Sequence, residues 1–395
     1  MTIFLALTYY VSCLFFSGHA AGSEILIKEY AAADTMQVSM PVNRMIYQRN
    51  NKNVAYIMVK GTAPANALSI EARLVTVTIG GGVSTDWVRI ADKVKGGSFS
   101  GRLKARGGWY KLEVRAMNGK QLVASSTVEK VGVGEVFLVI GHSVAQGGEI
   151  NIGGSADDRV NTVPLEEKSE QFQTYLKTGD PQYLPELRFV QAASGVAHAP
   201  FGHHSYFWSK FGELVARKEN VPVLIFNAGF GGTSLEHWAK SSQNVQFEHG
   251  FVRSAIRMPY INIKNAYIRY IYFTGLRCIL SDNGQNDSGQ KNADSIVNNY
   301  RIVIRQARQD LAHPVLAVVV NRQTPLSAPA IRLAQDRMTK DPYCFPGPDY
   351  DTMLEDDRVD GIHLSAAGCA RAAVMWEQSL SPEFFKVSRP WLPVN

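Results

Sequence analysis

The first part of the chain alternates apolar and polar residues with the period of a β-strand. Between about residues 38 and 131, apolar side chains recur at every second position in short runs, as at Val54, Tyr56 and Met58. Turn sequences such as Asn118-Gly119 separate these runs. Because a strand buries every second side chain, the pattern predicts about seven short strands joined by turns. We therefore expect a small all-β sandwich over residues 25–132.

A different pattern begins after Gly134, where uninterrupted apolar runs are followed by helical spacing. Such runs are typical of parallel strands that are covered on both faces, and they lie at residues 136–140, 221–226, 278–280 and 314–320. Between them, Phe207 and Phe211 belong to a helical stripe. The alternation predicts an α/β fold over residues 133–395, a three-layer α/β/α parallel sheet preceded by the sandwich, which we expect to be Ig-like or jelly-roll-like. In such sheets, functional residues follow the carboxyl ends of the strands.

The chain begins with an apolar stretch at residues 3–18 that contains no charged side chain. It ends at Gly18-His19-Ala20, a small-x-small sequence typical of signal-peptidase cleavage. We predict a signal peptide over residues 1–20 and a secreted or periplasmic protein. The stretch is shorter than the roughly 20 apolar residues that span a bilayer, so no stable membrane insertion is expected after cleavage. An uncleaved anchor is the alternative.

Charge and cysteine content narrow the classes of partner. The chain carries 41 basic and 35 acidic residues, a net charge of +6, without a block of like charges, so no nucleic-acid partner is predicted. Cys13 lies in the predicted signal peptide. The remaining cysteines, Cys278, Cys344 and Cys369, have no metal-ligand spacing, so they predict no metal site and either three buried thiols or at most one disulfide.

Gly-rich segments follow the first two predicted parallel strands. Residues 141–148 place Ser143 in a strand-to-loop turn, where its hydroxyl can be exposed beside free backbone amides. The second strand is followed by Gly229, Gly231 and Gly232, whose backbone can approach a ligand closely. Ordinary tight turns have the same composition, so neither segment alone indicates a functional site.

Polar residues also follow the third strand and precede the last helix. Asn283 and Asn286 offer neutral donors that can stabilise developing negative charge. Asp360 and His363 lie just before Ser365, a predicted helix N-cap, so the carboxylate can orient the imidazole as a base. Turn chemistry and an incidental histidine are the alternatives for these segments. Their occurrence in order, each at the edge of one sheet, favours a site for acyl transfer.

The four segments together resemble the SGNH (GDSL-like) hydrolases, and within them the sialate O-acetylesterase and carbohydrate acetylesterase branch. In chain order they are GEVFLVIGHSVAQGG, NAGFGGTSLEHW, GLRCILSDNGQND and DGIHLS. The resemblance implies a flavodoxin-like sheet and a serine esterase that removes O-acetyl groups from carbohydrates such as sialic acid or xylan. It also implies that no cofactor or metal is needed and that the cleft is open, polar and solvent-exposed.

The resemblance implies a role for each matching residue. Ser143 would be the nucleophile, His363 the base and Asp360 the carboxylate that orients the base. The oxyanion hole would consist of the amides of Ser143 and Gly232 and the side chain of Asn286.

Several assignments remain open. Gly231 is the alternative amide donor, and Asn283 is the alternative to Asn286. His142, Gln146 and Trp238 are predicted to contact the substrate, although core packing is an equal alternative for Trp238.

The sequence also departs from the branch, because His142 and Val144 stand where Gln and Asn are usual. A carbohydrate-binding protein that has lost catalysis therefore stays open as an alternative. A further alternative keeps the ester chemistry but has a lipid or aryl ester as substrate. His198, His203 and His204 suggest a metal cluster by their number, but no carboxylate or cysteine lies at ligand spacing, so a polar loop is predicted there.

Overall fold

The structure is a computed structural model that describes residues 35–393, except 78–79, 93, 95–96, 149–152 and 325–327. The predicted signal peptide, with Cys13, and the first residues of the predicted β domain lie outside the described residues. Within the described part of the chain, no helix is long and apolar enough to cross a membrane.

The described residues form both strands and helices. The strands are β1 Gln37–Met40, β2 Met45–Gln48, β3 Val54–Thr62, β4 Ser69–Thr76, β5 Val88–Asp92, β6 Ser98–Arg106, β7 Gly108–Asn118, β8 Gln121–Gly141, β9 Val160–Thr162, β10 Pro164–Leu165, β11 Val190–Gln191, β12 Ala197–His198, β13 Val223–Asn227, β14 Cys278–Asp282, β15 Ala317–Arg322 and β16 Cys344–Asp349. The helices are α1 Ser143–Gln146, α2 Glu170–Thr178, α3 Tyr206–Glu219, α4 Leu235–Ser242, α5 Ile261–Ala266, α6 Tyr272–Thr274, α7 Ala293–Asp310, α8 Pro329–Met338, α9 Ala366–Ser379 and α10 Pro382–Val387.

The amino-terminal strands are paired mostly antiparallel. Strands β1, β3 and β6 form a three-stranded sheet, while β4 pairs with β5 and β7, and β7 pairs with β8. The predicted hairpin at Asn118-Gly119 is present, with Gly119 and Lys120 connecting β7 to β8. Alternate residues of β6 are buried, as the period of two predicts.

Strand β8 runs through both regions of the sequence. Its first part pairs with β7, and its last part lies between the parallel strands β13 and β14. Among the described residues, this joins eleven strands into one mixed sheet, whose parallel part has the order β9-β13-β8-β14-β15-β16. The predicted boundary between residues 132 and 133 falls inside β8. The chain is therefore an α/β protein with a large mixed sheet.

The parallel strands explain the uninterrupted apolar runs. Phe137 and Val139 of β8 belong to a buried cluster that includes residues of α3 and α9. Leu138 and Ile140 belong to a second cluster that includes residues of α7 and α8. Because helices take part in both clusters, successive side chains of the strand are all buried. The polar segments that follow β8, β13 and β14 start at the carboxyl ends of adjacent strands.

Candidate active site

Ser143 lies at the carboxyl end of β8, where the strand turns into the short helix α1. Gly141 has a φ of 141°, and a Cβ there would lie 1.9 Å from the carbonyl oxygen of Asp282, so this tight turn requires glycine. Ser143 is the first residue of α1, a position where a backbone N–H has no partner within the helix. Among the described residues, no group accepts a hydrogen bond from this N–H.

His363 and Asp360 lie in the loop before α9, which Ser365 caps by accepting from the Gly368 N–H at 3.2 Å. His363 Nδ1 is 2.7 Å from Asp360 Oδ2. Its Nε2 is 2.8 Å from the Oγ of Ser143, a residue 220 positions away in the chain. The structure therefore brings the three predicted triad residues into one chain of hydrogen bonds.

The Asp360 carboxylate is held in its ionised form by its neighbours. It accepts from the His363 side chain and from the backbone N–H groups of Ile362, at 2.9 Å, and His363, at 2.7 Å. The hydrogen bond with the His363 side chain is the main cause that lowers the pKa of Asp360 to about 2, and the backbone donors add to it. An ionised Asp360 accepts from Nδ1–H, which leaves Nε2 free to accept from the Ser143 hydroxyl.

The two candidate amide donors of the glycine segment differ in their partners. Gly231 N–H donates to Gln146 Oε1 at 2.6 Å, so this amide is already occupied. Gly232 has a φ of 70°, and no described residue accepts from its N–H. Both glycines line the same cavity as Ser143. Of the two amides, the one of Gly232 is therefore the free donor in the lining of the cavity that Ser143 also lines.

The two candidate asparagines also differ in their positions. Asn286 lines the cavity with Ser143 and His363, and one hydrogen of its Nδ2 is donated to the Thr233 carbonyl at 3.0 Å. Asn283 is buried and donates to Ser281 Oγ at 2.8 Å. Asn283 lines a much smaller cavity of about 10 Å³, which Ser143 also lines and His363 does not. Asn286 is therefore the asparagine that shares the main cavity with Ser143.

The three predicted substrate contacts have different positions. Gln146 lines the cavity, where it accepts from Gly231 and donates to the Phe201 carbonyl at 3.1 Å. Trp238 is 1% exposed, and its indole N–H donates to Thr233 Oγ1 at 2.9 Å, so no ring face is available to stack on a sugar. His142 is also buried and does not line the main cavity, so substrate contact does not fit its position either.

The main cavity has a volume of about 710 Å³. Much of its wall is apolar, whereas the resemblance implied a polar cleft. The lining residues are Ser143, Gln146, Gly148, Gln173, Leu176, Lys177, Phe201, His203, Phe230, Gly231, Gly232, Phe251, Arg253, Met258, Asn286 and His363. Phe230 stacks on Phe201 with ring centroids 4.6 Å apart, and on Phe251 at 6.3 Å. Phe251 is 62% exposed, so its ring is available at the mouth of the cavity.

These apolar lining residues were not among those predicted from the sequence. Phe230 lies inside the second motif and could have been recognised there. Phe251 lies outside the described helices and strands, where no periodic pattern indicates its position. The ring of Phe251 packs directly against Gly232, so closely that a Cβ at Gly232 would lie 2.4 Å from the Phe251 Cζ atom.

A buried polar cluster that includes His142, the residue before Ser143, was also not predicted from the sequence. The Nε2 of His142 lies 3.2 Å from Asp287 Oδ2. Close by, Asp282 accepts from the Tyr350 hydroxyl at 2.8 Å. Burial raises the pKa of Asp282 to about 6, and the hydrogen bond from Tyr350 opposes only part of that effect.

The remaining histidines and cysteines do not gather around a metal position. His203 pairs with Glu167 at 2.8 Å, while His198 is buried beside Ser209. Burial lowers the pKa of His198 to about 3. Among the described residues, no three His, Cys, Asp or Glu side chains lie where they could hold a metal ion. The cysteines Cys278, Cys344 and Cys369 are all buried and free.

No protein-family model matches the chain, and no curated protein does. Solved structures that it is similar to include a carbohydrate acetylesterase from Xanthomonas citri, with 16% identity, a TM-score of 0.49, and 88% of this chain and 74% of that chain covered.

A carbohydrate esterase family 3 protein from Talaromyces cellulolyticus has 15% identity and a TM-score of 0.32, with 64% of this chain and 100% of that chain covered. NanS has 11% identity and a TM-score of 0.40, with 62% and 96% covered.

Proposed function

We propose that this protein is a serine ester hydrolase that works through an acyl-enzyme, with Ser143 as nucleophile, His363 as base and Asp360 as the residue that orients the base. The observation that carries the proposal is the hydrogen-bonded chain from Asp360 through His363 to Ser143, at 2.7 and 2.8 Å. This arrangement opens into a cavity of about 710 Å³, where an ester can reach the hydroxyl.

In the first half of the reaction, Ser143 Oγ attacks the acyl carbonyl while its proton passes to His363 Nε2. The Asp360 carboxylate stabilises the imidazolium that forms. The oxyanion of the tetrahedral intermediate accepts from the amides of Ser143 and Gly232 and from the second Nδ2 hydrogen of Asn286. The bond from the carbonyl carbon to the leaving oxygen then breaks, and His363 gives its proton to that oxygen.

In the second half, water attacks the acyl-enzyme. His363 takes a proton from the water, and the same donors hold the second oxyanion. Collapse of this intermediate breaks the bond to Ser143 Oγ, which recovers its proton from His363, and the free carboxylic acid leaves. The residues return to their starting protonation states, and none of the steps assigns a role to a metal or cofactor.

We infer O-acetylated carbohydrates as the substrate class, on the basis of the four sequence motifs and the exposed ring of Phe251. An aromatic face at the mouth of a cleft can pack on the apolar face of a sugar ring, which is the role that the sequence suggested for Trp238. The same proposal includes a three-layer SGNH-type sheet over residues 133–395, a β-sandwich over residues 25–132, and secretion directed by residues 1–20.

The test is hydrolysis of an aryl acetate by the wild-type protein and by Ser143→Ala. We expect the variant to lose on the order of 10⁴- to 10⁶-fold in kcat, because the nucleophile is removed while the fold is kept. Ser379→Ala removes a hydroxyl that donates to a carbonyl within α9, so it serves as the matched control and should hydrolyse normally. Full activity of Ser143→Ala would contradict the proposal. A screen of acetylated xylan and acetylated sialic acid for released acetate would then identify the sugar.

The apolar wall supports a second candidate, an esterase for lipid or aryl esters. The side chains of Leu176, Phe201, Phe230 and Met258 offer more apolar surface than an acetyl group can cover. A comparison of acetyl and octanoyl esters of one alcohol distinguishes the two candidates. A higher kcat/KM for the octanoyl ester would favour the second candidate, and a higher value for the acetyl ester would favour the first.

A further inference from the structure

Two buried side chains lie next to the residues of the proposed reaction without facing the cavity. His142 immediately precedes Ser143, and Asp287 immediately follows Asn286. Their side chains are 3% and 2% exposed, and His142 Nε2 lies 3.2 Å from Asp287 Oδ2. Because a carboxylate only accepts hydrogen bonds, the imidazole donates through Nε2. The pair connects the segment of the nucleophile to the segment of the asparagine donor.

The other oxygen of Asp287 connects a third segment. Oδ1 accepts from the N–H of Leu235, the first residue of α4, at 2.9 Å. Leu235 follows Gly232 closely in the chain, and the Thr233 carbonyl between them accepts from Asn286 at 3.0 Å. Asp287 and the adjacent Asn286 therefore bond to the backbone of two residues that closely follow Gly232.

We propose that Asp287 and His142 are positioning residues that fix the relative placement of Ser143, the Gly232 amide and Asn286. This inference rests on the proposed function. Each of the three groups must meet the same tetrahedral carbon or its oxyanion, and a displacement of about 1 Å can cost about 10²-fold in rate. A buried, charge-assisted hydrogen bond is short-ranged and directional, so it suits this task.

The position of His142 also accounts for a departure in the sequence. The branch that the chain resembles usually has Gln before the nucleophile, and a Gln side chain could donate one N–H to Asp287 in place of the imidazole. Histidine supplies the same donor with a rigid ring. The neighbouring Asp282 lines the same small cavity as His142, and its backbone carbonyl accepts from the His142 N–H at 3.2 Å.

The experiment compares His142→Gln, His142→Ala, Asp287→Asn, Asp287→Ala and the double alanine variant. The readouts are kcat and KM on an aryl acetate, the rate at which an aryl phosphotriester labels Ser143, and Tm. We expect Asp287→Ala and His142→Ala each to lose about 10²-fold in kcat and in labelling rate, with KM within about twofold of wild type. His142→Gln should stay within about threefold of wild type, because a donor to Asp287 remains.

The double alanine variant tests whether the two residues act as one unit. If they do, its kcat falls no further than that of either single variant. His198→Gln is the matched control, because it removes another fully buried histidine outside the cavity lining, and it should leave kcat and labelling unchanged. The conservative variants His142→Gln and Asp287→Asn keep the test usable if an alanine variant does not fold.

Two results would overturn the inference. One is a fall in Tm for Asp287→Ala and His142→Ala while kcat and labelling stay within about twofold of wild type. The other is a double variant whose loss equals the product of the single losses, which would mean that the residues act independently. Failure of the proposed function looks different, because wild type then releases no acid from any ester. Labelling of Ser143 would still test the positioning role, and wild type that is not labelled would overturn both.

Discussion

The two ends of the central parallel strands both bury charged side chains, but they bury them in different ways. At the amino end of the parallel part, the Glu135 carboxylate accepts from Arg49 Nε at 2.6 Å and from Arg277 Nε at 2.7 Å. At the carboxyl end, Asp282 has one hydroxyl donor, Tyr350, and Asp287 has one imidazole donor, His142. Glu135 thus has guanidinium partners, whereas no guanidinium of the described residues pairs with Asp282 or Asp287.

The pKa directions show what this difference means. Burial alone would raise the pKa of Glu135, but the charges of Arg277 and Arg49 outweigh burial and hold it below the usual value. Burial raises the pKa of Asp282 to about 6, because one hydrogen bond from a neutral hydroxyl does not offset the loss of water. The buried acid at the amino end is thus an ionised partner in ion pairs that connect separate segments of the chain. At the carboxyl end, Asp282 can instead gain or lose a proton near pH 6.

Removal of the proposed base should lower kcat strongly and leave the free energy of unfolding nearly unchanged. His363→Ala should lose on the order of 10⁴- to 10⁶-fold in kcat on an aryl acetate, because among the described side chains only the His363 imidazole is hydrogen-bonded to the Ser143 hydroxyl. Its free energy of unfolding should change little, since the imidazole is partly exposed at the protein surface. Steady-state kinetics and urea unfolding of the same preparation measure both. A variant that hydrolyses the ester normally would contradict the assignment of the base.

The converse substitution removes the buried ion pairs of Glu135 at the amino end of the parallel strands. Glu135→Ala leaves Arg277, which is buried, without its carboxylate, and breaking a buried ion pair in this way costs about 3–5 kcal/mol of unfolding free energy. Activity per folded molecule should remain. Arg301→Ala is the control, because the Arg301–Asp341 pair lies at the surface and such pairs contribute at most about 1 kcal/mol. Equal losses in the two variants would refute the contrast between buried and exposed pairs.

The carboxyl end was largely predictable from the sequence, because strand runs and the polar segments after them are local patterns. Ser143 and Asn286 follow the adjacent parallel strands β8 and β14, which end at the same edge of the sheet. His363 reaches Ser143 from the loop before α9. The choice between Asn283 and Asn286 was not predictable. Gly284, with a φ of 126°, turns the chain between them, and they line different cavities.

Other features depend on contacts that no local pattern encodes. The pairing of His142 with Asp287 joins residues 145 positions apart. The change of pattern near residue 132 has a physical origin within one strand, because β8 is partly exposed along its first half and fully buried along its second. The burial of Trp238 could have been predicted from the sequence, because Leu235, Trp238 and Ala239 follow helical spacing. All three are buried in the structure.

The protonation of Asp282 should have a smaller effect, which is on stability. Its folded-state pKa is raised from 3.8 to about 6, so the folded state binds this proton more tightly than the unfolded state does. The resulting stability is fully present below about pH 4 and is lost as the pH rises through about 6, a change of about 3 kcal/mol.

Urea unfolding of wild type and Asp282→Asn at several pH values between 4 and 7 measures this change. The difference between the two proteins isolates Asp282, because other titrating groups contribute equally to both. We expect the Asn variant to become more stable relative to wild type as the pH rises through about 6. A difference that does not depend on pH would show that Asp282 is not protonated in the folded state near pH 5.

The smallest expected effect concerns the mouth of the cavity at the carboxyl end. Phe251→Ala should raise KM for an acetylated oligosaccharide by about 2- to 10-fold, because packing on an aromatic ring contributes about 0.5–1.5 kcal/mol. KM for a small alkyl acetate should not change, since the lost contact is with the sugar. Phe251→Trp should keep the low KM. Phe273→Ala removes an exposed phenylalanine outside the cavity and is the control. If KM for the alkyl acetate rose equally, Phe251 would shape the reaction centre rather than bind the sugar.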